Sequence, residues 1–341
     1  MNEDPMTPYS AAGRQKERSA DYYSAAKRRN AIPRLAVVVP CLNEEEALPI
    51  LNEKLTGVLN RLTVEGNIAS GSRIIYVDDG STDRTWQVIT DLAGQMAGGI
   101  RLSRNCGHQE ALMAGMETAL PDFDAVVTID ADMQDDAEAI AEMVRMYSEG
   151  ADVVYGIRRD RSSDSWFKRM SAKEFYRMMR RLGVECVGNH ADFRLLSRRA
   201  VADLMDYSER NLFLRGIIPL LGGRQENVYY ERGRRAAGKT KYPFLKMIDF
   251  AVDGITSFSV RPVRMLFFIG LAFMLTALGI FIYVMVRHFS GETIEGWTSL
   301  MLSIWFCTGI LLMGLGIIGE YIGKIYIEVK RRPRFRISDK I

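Results

Sequence analysis

Cysteine is scarce in this chain: four residues among 341, Cys41, Cys106, Cys186 and Cys307, none spaced as C-x-x-C. That excludes a disulfide framework and a cysteine zinc site, and isolated cysteines read as buried thiols of a reducing compartment. Excess charge of one sign is lacking too. Lys and Arg number 45 against 42 Asp and Glu, a net +3, too little to argue for nucleic acid as a partner. No apolar signal-peptide core lies in the polar residues 1–33, which read as a flexible N-terminal tail. H-E-x-x-H and G-x-S-x-G are absent, which removes the zinc-protease and serine-hydrolase patterns. What is there is 48% hydrophobic and 26% charged, the mix of a folded protein with an ample core. The mean hydropathy of −0.06 hides an uneven distribution.

Residues 34–242 alternate short apolar runs with helical stretches. Leu35-Ala-Val-Val-Val-Pro40 has the continuous apolar character of a buried parallel strand. A helix over 44–64, a strand at Ile74-Ile-Tyr-Val77 and a helix over 82–97 follow, then strands at Ala125-Val-Val-Thr-Ile129 and Asp152-Val-Val-Tyr155. Alternation of this kind predicts a doubly wound, Rossmann-like α/β sheet. Ligands of such sheets bind beyond the strand C-termini. Three polar clusters fall there: Pro40-Cys-Leu-Asn43-Glu44, Asp78-Asp79-Gly80-Ser81-Thr82-Asp83, and Asp130-Ala131-Asp132-Met-Gln134-Asp135.

The C-terminal third is different. Met265 to Val286 and Trp297 to Gly319 are 22 and 23 residues without a charge, each spanning roughly 30–35 Å as helix, the thickness of bilayer hydrocarbon. Residues 263–319 therefore read as a transmembrane hairpin of two helices. Residues 320–341 carry Lys324, Lys330, Arg331, Arg332, Arg334, Arg336 and Lys340 against three acids, and the connecting loop only Arg287 against Glu292 and Glu295. The positive-inside rule then predicts a multi-pass protein of the cytoplasmic membrane, with the α/β domain, the basic tail and both termini cytoplasmic. Residues 243–262 and Asn211 to Leu221 are apolar with few charges. They read as helices lying in the membrane interface, with ordinary core helix as the alternative.

Gly314-Leu-Gly-Ile-Ile-Gly319 matches G-x-G-x-x-G formally, but it follows no strand and sits inside an apolar run. Helix packing explains it better, and Gly319 with Gly323 adds to that reading, a homo-oligomer being one form of it. The strongest chemical signal is the Asp130/Asp132 pair directly after a strand. Two carboxylates at i and i+2 can address one hard cation, and magnesium favours few carboxylates plus phosphate oxygens. An isolated D-x-D is more often a solvated turn. Three acidic strand ends in this order and spacing are not explained that way.

PCLNEE, VDDGSTD, LSRNCGHQEALMAG and DADMQD in succession resemble a family 2 glycosyltransferase of the GT-A fold. Two apolar helices after that domain narrow the resemblance to polyprenyl-phosphate glycosyltransferases. YGIRRDRSSDSWFKR (155–169), ADFRLLSRRAV (191–201), RRAAGKTKY (234–242) and GITSFSVRPVRM (254–265) make it most similar to the bactoprenol glucosyltransferases. The resemblance implies that Pro40, Asn43 and Glu44 form the first nucleotide-binding segment. It implies Asp79 at the uracil imide, Asp78 supporting that loop, and Arg104, Asn105 and Gly107 lining the nucleotide side with Ala131. Asp130, Asp132 and Gln134 would hold Mg²⁺ or Mn²⁺ on the donor diphosphate. Asp192 is a base or an acceptor-positioning group, and Arg194 a phosphate contact or an ion pair to a loop. Arg235 and Lys241 would clamp the acceptor phosphate, with Arg234 competing for the role and Thr240 replacing a usual serine.

The implied reaction is inverting transfer of a hexose, glucose by overall likeness, from a UDP-sugar to undecaprenyl phosphate in the lipid bilayer. A phosphate monoester is mostly dianionic at neutral pH, its second pKa being about 6, so cations that aim it matter more than a strong base. Arg158-Arg159-Asp-Arg161 and Arg232 to Lys241 can supply them, although a solvated face explains 158–161 as well. Two other readings compete. A family 2 polysaccharide synthase would carry Q-x-x-R-W and several pore helices, and neither is found. A membrane-anchored sugar-nucleotide-binding protein without turnover would have no use for Asp130, Asp132 and Asp192 together.

Overall fold

Leu35–Cys41 is buried at every position, as a strand covered on both faces must be. It is β1, near the centre of the sheet. In this computed structural model the described residues are 32–158, 190–207, 209, 214–231 and 296–341, with single helical positions between 263 and 286. After β1 come α1 (Leu48–Val64), β2 (Arg73–Asp78), α2 (Thr85–Leu92), β3 (Ala97–Leu102), α3 (His108–Ala119), β4 (Ala125–Thr128) and α4 (Ala139–Ser148). β5 (Val153–Arg158), β6 (His190–Ser197), α5 (Arg198–Met205), α6 (Leu214–Ile217), β7 (Gln225–Tyr230), α7 (Trp297–Lys330) and β8 (Ile337–Lys340) complete the order.

Among the described residues the strands form one sheet in the order β7-β5-β6-β4-β1-β2-β3-β8. Leu35, Val37 and Val39 point to a core that includes Leu48, Leu51, Leu55 and Leu59 of α1 and Ile140, Met143 and Val144 of α4. The α1 residues recur every three or four positions, the spacing of an amphipathic helix. The alternate residues Ala36 and Val38 are buried too, on the side where α3 packs against β1 and β2.

The expected Rossmann-like α/β sheet is thus present, with one strand, β6, reversed inside it. β3, β2, β1 and β4 run parallel. β6 then enters antiparallel between β4 and β5, so the strand at Val153–Arg158 is not the neighbour of β4. The helix expected over 82–97 ends at Leu92, Ala93 turns extended, and Ala97–Leu102 is a strand. In Asn211 to Leu221 the alternative of core helix applies to four residues: Leu214, Ile217, Ile218 and Leu221 are buried in the domain, while Leu220 is exposed. Asn211 itself lies outside the described residues.

The chain divides into two compact units. The unit containing the sheet also takes in Pro333–Ile341, where β8 pairs antiparallel with β3. The last residues of the expected basic tail are therefore an edge strand. The other unit holds α7, 34 residues long and about 51 Å at 1.5 Å per residue. It runs past the expected end at Gly319 to a left-handed Arg331, with Pro333 blocking continuation. Leu311, Leu315, Ile318, Ile322 and Val329 are exposed on it. Phe306–Lys330 is the one helix among the described residues long and apolar enough to cross a membrane. The other expected span, 265–286, falls mostly outside the described residues, as do 1–31 and 243–262.

Candidate active site

The loops after β1, β2 and β3 are sewn together by side chains that accept backbone N–H groups. Asn43 adopts a left-handed conformation, φ 57°, tolerable for asparagine. Its Oδ1 accepts from Thr82 N at 2.9 Å, while its own N–H donates to Ser81 Oγ at 3.0 Å. Glu44 N donates to Thr85 Oγ1 at 2.9 Å. Pro40 lies within β1, paired with Val77. Asp78 is fully buried, accepts from Ser81 N at 2.9 Å and meets Arg101 Nε at 3.2 Å.

Asp79, the residue expected at a base, holds backbone in this structure. Its two oxygens accept from Cys106 N at 2.7 Å and Gly107 N at 2.9 Å, which shapes the 104–107 turn and leaves Arg104 and Asn105 exposed. Gly80 is needed there. Its φ is +69°, and a Cβ would fall 2.6 Å from the Arg104 carbonyl carbon and Asn105 nitrogen.

The second cluster depends on β6. Its antiparallel register sets Arg194 opposite Thr128; continued two residues, it sets Asp192 opposite Asp130. Thr128 Oγ1 donates to the Asp192 carbonyl at 2.5 Å. Asp192 Oδ1 accepts from Arg194, and Arg215 Nη2 reaches Oδ2 at 3.1 Å. His108 Nε2 stands 3.5 Å from both Asp192 Oδ2 and Asp130 Oδ1. Burial by itself would raise the Asp192 carboxyl, but Arg194, His108 and Arg215 outweigh it and hold it well below the usual carboxylate range. With its oxygens so occupied, Asp192 is a weak base. Arg194 is 1% exposed and paired with Asp192.

Asp130 has the opposite surroundings. Burial pushes its carboxyl up to about 6, the carboxylates of Asp192, Asp135 and Asp132 add to this, and His108 opposes it. Its Oδ1 is buried without a hydrogen-bond partner, a condition that proteins rarely leave uncompensated. Asp132 Oδ1 accepts from Gln134 N at 3.1 Å, Gln134 is buried, and Met133 between them has φ 59°. Among the described residues no three acidic, His or Cys side chains form a ready-made metal cage. Two carboxylates with an unsatisfied oxygen, in a place where negative charge accumulates, fit a divalent cation that draws further ligands from a diphosphate.

Arg234, Arg235, Thr240 and Lys241 lie outside the described residues, as do Arg159 and Arg161. Gly233-Arg-Arg-Ala-Ala-Gly-Lys-Thr240 also fits the phosphate-loop spacing G-x-x-x-x-G-K-[ST] formally, a pattern that needs strand and helix around it to mean anything. Arg158 is described, and pairs with the buried Asp135 at 2.8 Å. Two residues of the cluster were not singled out from the sequence. His108 opens α3 inside the GHQ stretch, and Gln109 beside it accepts from Leu214 N at 2.8 Å, which anchors the turn carrying Arg215. Arg215 could have been noticed as the one charge in Asn211 to Leu221.

Residues 36–205 match the family model described as glycosyl transferase family 2. An uncharacterized glycosyltransferase of Bacillus subtilis, YkoT, is 48% identical over 308 residues, 90% of this chain and 91% of the relative. A protein of Escherichia coli named prophage bactoprenol glucosyl transferase homolog is 37% identical, covering 89% of this chain and 98% of its own length. The bactoprenol glucosyl transferase of Shigella phage SfII is 38% identical, with 89% and 97% covered. The chain belongs to glycosyl transferase family 2, and its mixed sheet is a GT-A type α/β fold.

Proposed function

We propose that this family 2 glycosyltransferase moves a hexose from a UDP-sugar to undecaprenyl phosphate at the cytoplasmic face of the membrane, with inversion at the anomeric carbon. Glucose is favoured by the names of the bactoprenol relatives. The observation that carries the reading is the juxtaposition of Asp130 and Asp192. A carboxylate whose Oδ1 lacks a hydrogen-bond partner stands beside one ringed by Arg194 and Arg215, with His108 3.5 Å from both.

Asp130 and Asp132, with Gln134, are the residues assigned to Mg²⁺ or Mn²⁺. Such an ion supplies Lewis acidity, neutralising charge on the leaving diphosphate. The sewn loops bearing Pro40, Asn43, Glu44, Asp78, Asp79, Arg104, Asn105, Gly107 and Ala131 bind the nucleotide-sugar, with Asp78 and Asp79 acting through the backbone they hold. The acceptor arrives as a dianion and needs orientation more than deprotonation. Asp192 therefore aims cations, Arg215 and His108 directly and Arg194 from within. Arg235 and Lys241, with Arg234 adjoining, clamp the phosphate by charge-assisted hydrogen bonds.

The acceptor's isoprenoid chain requires a bilayer. The apolar exposed surface of α7 would be covered by lipid, with Met265 to Val286 as the other arm of a hairpin and 243–262 at the interface. About 51 Å of helix exceeds the roughly 30 Å of hydrocarbon, so Lys330, Arg331 and Arg332 emerge on the cytoplasmic side. Full-length protein should release UDP from UDP-glucose only with a divalent ion and undecaprenyl phosphate together, and mass spectrometry should find one hexose on the lipid. UDP release indifferent to the lipid phosphate would refute the acceptor.

A further inference from the structure

Asp135 closes the acidic stretch after β4, yet its side chain is fully buried. Its Oδ1 accepts from Arg158 Nη2 at 2.8 Å, from Arg158 Nε at 3.2 Å and from the Tyr230 hydroxyl. Its Oδ2 is buried with no hydrogen-bond partner. Arg158 ends β5 and Tyr230 ends β7, and the two sit opposite each other in the parallel register of those strands. The Tyr230 ring reaches over Gly156 to meet Phe193 edge-on, centroids 5.3 Å apart. A Cβ on Gly156 would come within 2.8 Å of Phe193 and 3.0 Å of Tyr230, so the crossing depends on that glycine. Phe193 stands between Asp192 and Arg194 on β6. A single phenol thus grips β6 with its ring and the loop after β4 with its hydroxyl.

Burying the Asp135 carboxylate against a quarter-exposed Arg158 is an expensive way to hold two strand ends, because the carboxylate surrenders its water. What the pair adds is a fixed position for the loop. That loop contains a left-handed methionine, Met133, between Asp132 and Gln134, a conformation that persists only when its surroundings over-determine it. At the near end the loop continues β4; at the far end Asp135 is what fastens it to β5 and β7.

We propose that Asp135, Arg158 and Tyr230 are positioning residues for the metal–diphosphate loop, holding Asp130 and Asp132 so that both address one cation while keeping register with Asp192 on β6. The inference rests on the metal reading of Asp130 and Asp132. Outer partners of metal ligands change affinity about 10–100-fold when removed, and this is the scale to look for.

The test is Mn²⁺ binding by the full-length protein in detergent with UDP present, followed by the electron paramagnetic resonance of free Mn²⁺, with melting temperatures of the same samples. Asp135→Asn keeps the shape and removes the charge; Tyr230→Phe keeps the ring on Phe193 and removes the hydroxyl. Mn²⁺ affinity should fall about tenfold or more in both variants, with the melting temperature of Tyr230→Phe close to that of the parent. Parental Mn²⁺ affinity in both variants, whatever happens to their melting temperatures, overturns the proposal alone. Failure of the unaltered protein to bind Mn²⁺ with UDP overturns the metal reading, and this inference with it.

Discussion

The two halves of the sheet secure their functional ends by different means. On β1, β2 and β3, Asn43, Asp78, Asp79 and Asp83 spend their oxygens mainly on backbone N–H groups of neighbouring loops. On β4, β6, β5 and β7, carboxylates face guanidinium groups: Asp192 with Arg194 and Arg215, Asp135 with Arg158. Backbone stitching produces shape, since each bond is local and directional. Buried ion pairs produce a field, and removing one partner strands the other. The first half thereby fixes loop shape, and the second concentrates fixed charge.

The largest effect should come where the two halves meet. Asp130→Asn and Asp132→Asn should each lower turnover by about 10³-fold, several kcal/mol of lost charge stabilisation, with circular dichroism unchanged. Near-parental turnover of both at limiting Mg²⁺ would remove the metal assignment. In the charged half, Asp192→Asn leaves Arg194 and Arg215 without their counter-charge. A loss of about 3 kcal/mol in stability is expected, together with roughly 100-fold in turnover, read by denaturant titration and initial rates. A variant as stable as the parent would show that the charged half is not energetically distinct.

Effects in the stitched half should be smaller and confined to binding. Asp79→Asn sets an amide donor against one of two N–H donors, so the 104–107 turn should loosen and UDP affinity should fall about tenfold by calorimetry. Altered acceptor kinetics with unchanged UDP affinity would put Asp79 in the wrong half. The smallest effect belongs to the sheet edge. Deleting Ile337–Ile341 exposes one side of β3 and should cost about 1 kcal/mol, a shift of a few degrees in melting temperature, with KM values intact.

Legibility in the sequence cut across that division. β1, β2, β4 and β5 were readable because apolar residues cluster in each, and the acids after β1, β2 and β4 stood out as punctuation. β3 was missed because Ala97-Gly-Gly-Ile-Arg-Leu102 has two glycines in six residues and follows helix-compatible residues without a clear stop. β7 was missed because Gln225-Glu-Asn-Val-Tyr-Tyr230 is exposed or half-exposed at four of six positions. Asp192 was found through family likeness, whereas His108 and Arg215 carry no local pattern that marks them.

By itself the sequence determined the strand interiors, the acidic strand ends and the long apolar segment. Each of these follows from composition within a few neighbouring residues, through burial, turn chemistry and the length a helix needs. The antiparallel entry of β6, the place of Arg215 beside Asp192, and the return of β8 to β3 were decided only in the tertiary structure. Pairing partners distant in the chain are selected by how whole elements pack and which buried charges they satisfy, and Asp130 and Asp192, 62 positions apart, meet only because β6 runs against β4.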